Sequence, residues 1–168
     1  IAEKIIDKFL YIVNSYCKTS NEFKVYNEKE NTGFLKHIIV RNNEKNEVMI
    51  VIVINKKSQY RLLTKVLEKL YDENNEVKSV YISIKNESNN VILGEEIRHV
   101  FGEKYLEEEI EGIKFKIYPD SFFQINKNQT VKLYKKAIEY LGESEDKTIL
   151  DAFSGTGTIA MILSKVAK

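Results

Sequence analysis

Seven consecutive apolar residues, Val48–Ile54, form the longest unbroken hydrophobic run in the chain, and the segments around it are patterned on shorter beats. A strand-length run with no polar member predicts a strand covered on both faces, and therefore central in its sheet. Phe34–Asn42 is also β-rich, and Asn43-Glu44-Lys45-Asn46 reads as a turn joining it to Glu47–Asn55 as a hairpin. Residues 1–17 keep a helical rhythm, with Ile5, Phe9, Ile12, Val13 and Tyr16 recurring at three- and four-residue intervals. The polar stretch Lys18–Thr32 reads as loop. After the central run, Ser58 suits a helix N-cap, and Leu62, Leu63, Val66, Leu67 and Leu70 mark the buried side of a helix through Tyr71. Val77–Lys85 and Val91–Gly94 read as further strands on either side of the turn-forming Asn86–Asn90.

Tyr105–Ile110 and Ile113–Ile117 then flank Glu111-Gly112, a two-residue hairpin turn. That register sets Glu109 opposite Lys114 and Glu107 opposite Lys116, with Leu106, Glu108 and Ile110 sharing the other face with Ile113, Phe115 and Ile117. The one proline, Pro119, breaks the strand pattern, and a domain boundary is placed near it. Asn126 followed by Gln129 makes a helix start. Val131, Tyr134, Ile138 and Leu141 form that helix's apolar stripe, and Gly142 suits its end. A strand over Thr148–Ala152 follows, then a helix from about Thr158 that is still running at Lys168. The fold class expected is α/β. A helix over 1–17 precedes a mixed-sheet α+β domain over 18–115, and 116–168 is the incomplete start of a Rossmann-like domain.

Composition changes this picture little. The 168 residues are 43% apolar and 30% charged, which excludes a disordered chain, and no apolar run approaches the eighteen residues of a spanning helix. Single Cys17 forms no internal disulfide and no zinc or iron–sulfur site by itself; it reads as a structural thiol, with a cytoplasmic origin expected. The chain starts at Ile1 inside a helical pattern and stops inside another, so a piece of a longer polypeptide is expected. Net charge is only +1 but unevenly spread. Phe34–Val66 carries Lys36, Arg41, Lys45, Lys56, Lys57, Arg61 and Lys65 against Glu44 and Glu47, while Asn86–Gly112 carries eight glutamates against Arg98 and Lys104. These segments read as solvated faces, or the basic one as a track for phosphates.

Two stretches carry candidate chemistry. In Asp151-Ala-Phe-Ser-Gly-Thr-Gly-Thr158, glycines without Cβ let a ligand approach the backbone, and free N–H groups at a helix start attract a carboxylate. The spacing Gly155-x-Gly157-x-x-Ala160 also fits a dinucleotide turn or a purely structural one. Asp151 favours a ligand bearing an ammonium or sulfonium over a pyrophosphate, and S-adenosylmethionine has both cations. In Pro119-Asp-Ser-Phe-Phe-Gln-Ile-Asn126, the two phenylalanines read as packing residues. Gln124 places an amide ahead of the helix that leads to the first stretch.

Ser121-Phe-Phe-Gln-Ile-Asn126, a helix, and Leu150-Asp-Ala-Phe-Ser-Gly-Thr-Gly-Thr-Ile159 together resemble the RNA uracil-5 methyltransferase family, which makes 5-methyluridine in transfer and ribosomal RNA. Gly33-Phe-Leu-Lys-His-Ile-Ile-Val-Arg41, Val80-Tyr-Ile-Ser-Ile-Lys-Asn86 and Ile92-Leu-Gly94 resemble segments of its central domain. The resemblance implies S-adenosylmethionine contacts at Gln124, Asp151, Phe153, Gly155, Gly157 and Thr158. It departs from many members at Thr158, where asparagine is common, and at Ser154, where cysteine is common. It implies attack on uracil C6 by a cysteine thiolate, methylation at C5 and removal of the C5 proton by a glutamate, on a base flipped from its stack. Those two residues would lie beyond Lys168, so no catalytic residue is assigned in this chain and no activity is expected of it alone. An iron–sulfur cluster, where present, would precede Ile1. Ribosomal RNA is the favoured partner over transfer RNA, no membrane is implied, and the N-terminal helix is expected to pack on residues 116–168 through Phe9, Ile12 and Tyr16. An RNA-docking module without catalysis, or a methyltransferase acting on adenine or protein, are the competing readings.

Overall fold

The computed structural model describes residues 24–55, 60–87, 89–124, 126–142 and 147–165, together with Asp7, Tyr11, Asn14, Ser15 and Lys18. Those five early positions are helical. The expected contacts of Phe9, Ile12 and Tyr16, and the Ser58 cap, lie outside the described residues. The chain divides into two compact units between Leu106 and Glu107.

In the first unit, β1 (Leu35–Asn42), β2 (Val48–Ile54), β3 (Val77–Ile84) and β4 (Glu96–Gly102) form one sheet in that order. β1 and β2 are antiparallel, β2 and β3 parallel, β3 and β4 antiparallel, so the sheet is mixed. A parallel pair needs a crossover, and α1 (Tyr60–Asp72) supplies it. Every residue of β2 is buried, which is why its sequence has no polar beat. Ile50, Ile52 and Ile54 share a cluster with Leu63, Leu67 and Leu70 of α1, and Met49 and Val51 share another with Tyr81 and Leu106.

One reading of this unit needs correction. Val91–Gly94 is not a strand; the chain crosses the end of β3 there, and the Gly94 N–H donates to Ser83 Oγ at 2.9 Å. A Cβ at Gly94 would fall inside the Ile84 carbonyl. The strand that does pair with β3 is β4, an edge strand whose partial exposure on both faces leaves no clean alternation to read. Of the basic segment, Lys56 and Lys57 lie outside the described residues. Lys36 falls at the register irregularity of β1, where its ammonium contacts the Glu87 carbonyl and the Tyr26 ring. Burial and the nearby Lys85 ammonium hold the Lys36 pKa below its usual value. Ile38 and Val40 pack towards the α1 cluster and Ile39 towards the other, so Arg41, in register with Ile39, departs from the α1 side.

The division falls after the first residue of β5 (Leu106–Ile110); the second unit runs through the rest of that strand, its partner β6 (Ile113–Ile117), then α2 (Lys127–Leu141) and α3 (Thr158–Leu163). Glu111 (φ 50°) and Gly112 (φ 74°) are both left-handed, the requirement of a type I′ turn. A two-residue loop closes Ile110 onto Ile113, and counting outward sets Glu109 opposite Lys114 and Glu107 opposite Lys116. Burial agrees: Ile110, Phe115 and Ile117 are buried while Glu109, Lys114 and Lys116 are exposed. Glu108, an acid on the inner face, meets Lys127 Nζ at 3.4 Å. Asn126 caps α2 by accepting the Gln129 N–H at 3.1 Å.

Thr148–Ala152 is not a strand in this structure, and Leu150 is 87% exposed. A strand exists by pairing, and among the described residues of this unit the hairpin is the one ladder. The last helix also stops earlier than expected, at Leu163, with Ser164 as C-cap.

Candidate cofactor-binding site

The site builds outward from the start of α3. Its N-cap, Gly157, has no side chain, and the missing cap comes from further back: Asp151 Oδ2 accepts the Ala160 N–H at 3.1 Å. A carboxylate there also complements the positive end of the helix. Between these residues the chain turns through left-handed conformations at Phe153 (φ 65°), Gly155 (φ 56°) and Gly157 (φ 73°). A Cβ on either glycine would meet nothing within 4 Å. Glycine is therefore required there by backbone angle, and its bare side faces open space where a ligand can reach the backbone. Phe153 is the anomaly: a bulky residue held left-handed, with its ring fully exposed.

The second stretch lies beside the first. Thr156 Oγ1 donates to the Phe122 carbonyl at 3.4 Å, across 34 positions of sequence. Phe123 packs against Phe115 with ring centroids 5.7 Å apart, as expected, whereas Phe122 is 71% exposed and does not pack. Gln124 is exposed on the same loop. Thr158 is buried, and its hydroxyl lies 2.8 Å from that of Thr156. Below them Tyr134 of α2 is buried in one cluster with Ile162. Burial pushes the Tyr134 pKa up; the Thr158 side chain opposes this, and the Asp151 charge adds to it. Thr156 and Tyr134 escaped the sequence reading. The one signal for Tyr134 was a phenol on a buried stripe, since a buried tyrosine hydroxyl needs a partner.

The structure thus brings Asp151, Phe153, Gly155, Gly157 and Thr158 into one turn and ties the Gln124 loop to it. Asp151 keeps a second oxygen for a cation, Phe153 offers a bare aromatic face, and the glycines offer an open backbone. Among the described residues, no group of three or more histidine, cysteine, aspartate or glutamate side chains is placed to hold a metal.

No family model matches the sequence. The whole chain is 40% identical to an uncharacterized RNA methyltransferase of Fusobacterium nucleatum, covering 35% of that protein. It is 33% identical over its whole length to an uncharacterized RNA methyltransferase of Clostridium tetani, covering 36% of it, and 33% identical over 86% of the chain to one of Oceanobacillus iheyensis, covering 32%. The chain spans about a third of the length of these curated relatives. Among solved structures, the tRNA (uracil-54, C5)-methyltransferase of Pyrococcus abyssi, in complex with S-adenosyl-L-homocysteine, matches 93% of this chain and 36% of that one. The TM-score is 0.69 at 28% identity. These likenesses class the chain among the RNA methyltransferases. More narrowly, the Pyrococcus neighbour's name is consistent with the RNA uracil-5 methyltransferase family that the chain's two motifs resemble.

Proposed function

We propose that this chain supplies the central domain and the opening of the catalytic domain of an S-adenosylmethionine-dependent enzyme that methylates uracil C5 in structured RNA. The observation that carries the reading is the Thr156–Phe122 hydrogen bond, which sets the Gln124 loop against the glycine turn although each was singled out separately. The open sides of Gly155 and Gly157 fit a ligand lying on the backbone. In this reading the free Asp151 oxygen takes the ammonium of the cofactor's methionine part, Gln124 hydrogen-bonds it, and the Phe153 ring covers an apolar portion. Thr158 is the family's contact position; its hydroxyl is turned inward, so its contribution is to hold the turn. When bound, the cofactor supplies an electrophilic methyl group on a sulfonium. What these residues do is bind and orient it; the thiolate and the base belong to the remaining two-thirds of the whole protein.

Ribosomal RNA is the first substrate class proposed. The Pyrococcus neighbour, named for transfer RNA, supports the second. Titration calorimetry with S-adenosylhomocysteine and tritium transfer to RNA test the proposal. The full-length protein should bind in the micromolar range, about −8 kcal/mol, while this chain alone, with part of the contacts, should bind near millimolar, about −4 kcal/mol, without turnover. Fractionated RNA from a strain lacking the gene then separates ribosomal from transfer RNA acceptors. A full-length protein that binds RNA but neither cofactor nor analogue would leave the docking-module reading instead.

A further inference from the structure

The carboxyl ends of the parallel pair gather two ammonium groups that the cofactor reading does not use. β2 and β3 end in register at Ile54 and Ile84, and the Lys85 N–H carries the pairing one step further by donating to the Ile54 carbonyl at 2.8 Å. β1 starts at the same end, since Leu35 pairs with Ile54, and so brings Lys36 there. In open α/β sheets, ligands bind beyond the carboxyl ends of parallel strands. Lys85 is only 3% exposed. A buried ammonium is costly unless its charge and its three hydrogens are met. Among the described residues it has one hydrogen-bond acceptor, Asn89 Oδ1, and one carboxylate, Glu87, whose Oε2 stands 3.9 Å away, beyond hydrogen-bond reach. Glu87 and Asn89 are themselves exposed, so this ammonium is covered by side chains that solvent reaches. Lys36 likewise has one acceptor, the Glu87 carbonyl at 3.2 Å, and the Tyr26 ring holds its ammonium 4.4 Å from the centroid. Both lysines therefore meet the same residue. Burial and the Lys85 charge hold the Lys36 pKa down, against the charges of Glu87 and Glu28. The two cations oppose each other, and an anion that meets both relieves that opposition.

We propose that Lys36 and Lys85 form a phosphate-binding site on the first unit, which takes a backbone phosphate of the RNA substrate as the Glu87 carboxylate turns out to solvent. The inference rests on the RNA-substrate reading above and adds a site that is no part of the cofactor turn. Glu87 is the group able to yield: its side chain is 47% exposed, against 4% for that of Lys85. A lysine meets a phosphate as a point charge and brings no planar fork for reading a base edge. The site thus fixes where the RNA lies without selecting its sequence.

The test measures binding of the full-length protein to ribosomal and transfer RNA from a strain lacking the gene, over a series of salt concentrations. Lys36→Gln should raise the Kd for the RNA it binds about tenfold, the scale of one charge-assisted hydrogen bond. It should also flatten the plot of log Kd against log salt by about one unit of slope, as loss of one phosphate contact does. Lys85→Gln should do the same. Glu87→Gln should act in the opposite direction and lower the Kd several-fold, because it removes the carboxylate that competes with the phosphate. Lys69→Gln is the control: Lys69 is exposed on α1, pairs with Glu73 at 3.7 Å, and should leave Kd and slope unchanged. A wild-type thermal midpoint shows that each variant is folded; if Lys85→Gln is not, Lys36→Gln and Glu87→Gln decide between them. Unchanged Kd and slope in Lys36→Gln, or weaker RNA binding in Glu87→Gln, would overturn the site and leave the RNA substrate standing. Wild-type protein that binds neither RNA pool refutes the proposed substrate itself, and the inference with it.

Discussion

Phe153 has a left-handed backbone and an exposed ring, so in the isolated chain its side chain contributes strain without burial. The left-handed conformation costs a bulky residue about 1–2 kcal/mol, against roughly 0.5–1 kcal/mol of extra backbone entropy for glycine. Phe153→Gly should therefore stabilise the second unit slightly, by about 0.5 kcal/mol in urea denaturation, while weakening S-adenosylhomocysteine binding by the full-length protein. A destabilised variant would mean the ring packs. Tyr134 makes a prediction in pH. An unfolded tyrosine loses its proton near pH 10.0, and the folded Tyr134, held above that chiefly by burial, keeps it longer. Where the folded state binds more protons, stability falls as pH rises. The contribution is thus complete below about pH 10 and declines above it, and Tyr134→Phe should flatten that alkaline decline in denaturation curves. An unchanged alkaline limb would place the phenol in water.

At the scale of elements, α2 depends on one side chain for its start. Asn126 Oδ1 takes the Gln129 N–H, and the helix places Lys127 against Glu108 and Tyr134 in a cluster with Ile162. Asn126→Ala should cost about 1 kcal/mol of second-unit stability, measured by chemical denaturation, with Asn126→Asp nearly neutral. Equal losses from both would show that the cap hydrogen bond is not what holds this end. β4 shows the opposite case. It has no capping or periodic signal of its own and is a strand because β3 offers it an edge.

At the scale of the whole molecule, the two units bury their apolar residues unequally. β2 is enclosed on both faces, whereas the second unit leaves Leu133, Tyr140, Leu150 and Phe153 exposed. Burial of apolar area is the main stabilising contribution, so the two units should unfold in separate steps, the second first. Urea denaturation should show two transitions, and a chain of residues 1–106 should retain the later one with its midpoint. A single transition lost on truncation would mean that neither unit is independently stable.

Local chemistry was sufficient for a good part of this protein. An apolar run without polar beats can only be a covered strand, two residues between alternating runs can only close a tight hairpin, and Asn126 with Gln129 starts a helix wherever it is placed. The glycines of the Asp151–Gly157 turn belong to this class, because left-handed angles select glycine from the backbone alone. What tertiary structure decided is everything defined by a partner. Val91–Gly94 and Thr148–Ala152 have strand-like composition but no ladder, and Glu96–Gly102 has a ladder with little strand-like pattern. The hydrogen bonds joining Thr158, Thr156 and Phe122 are of this kind too. Their members lie up to 36 positions apart in sequence, and only the fold of the second unit brings these short-range, directional bonds within reach.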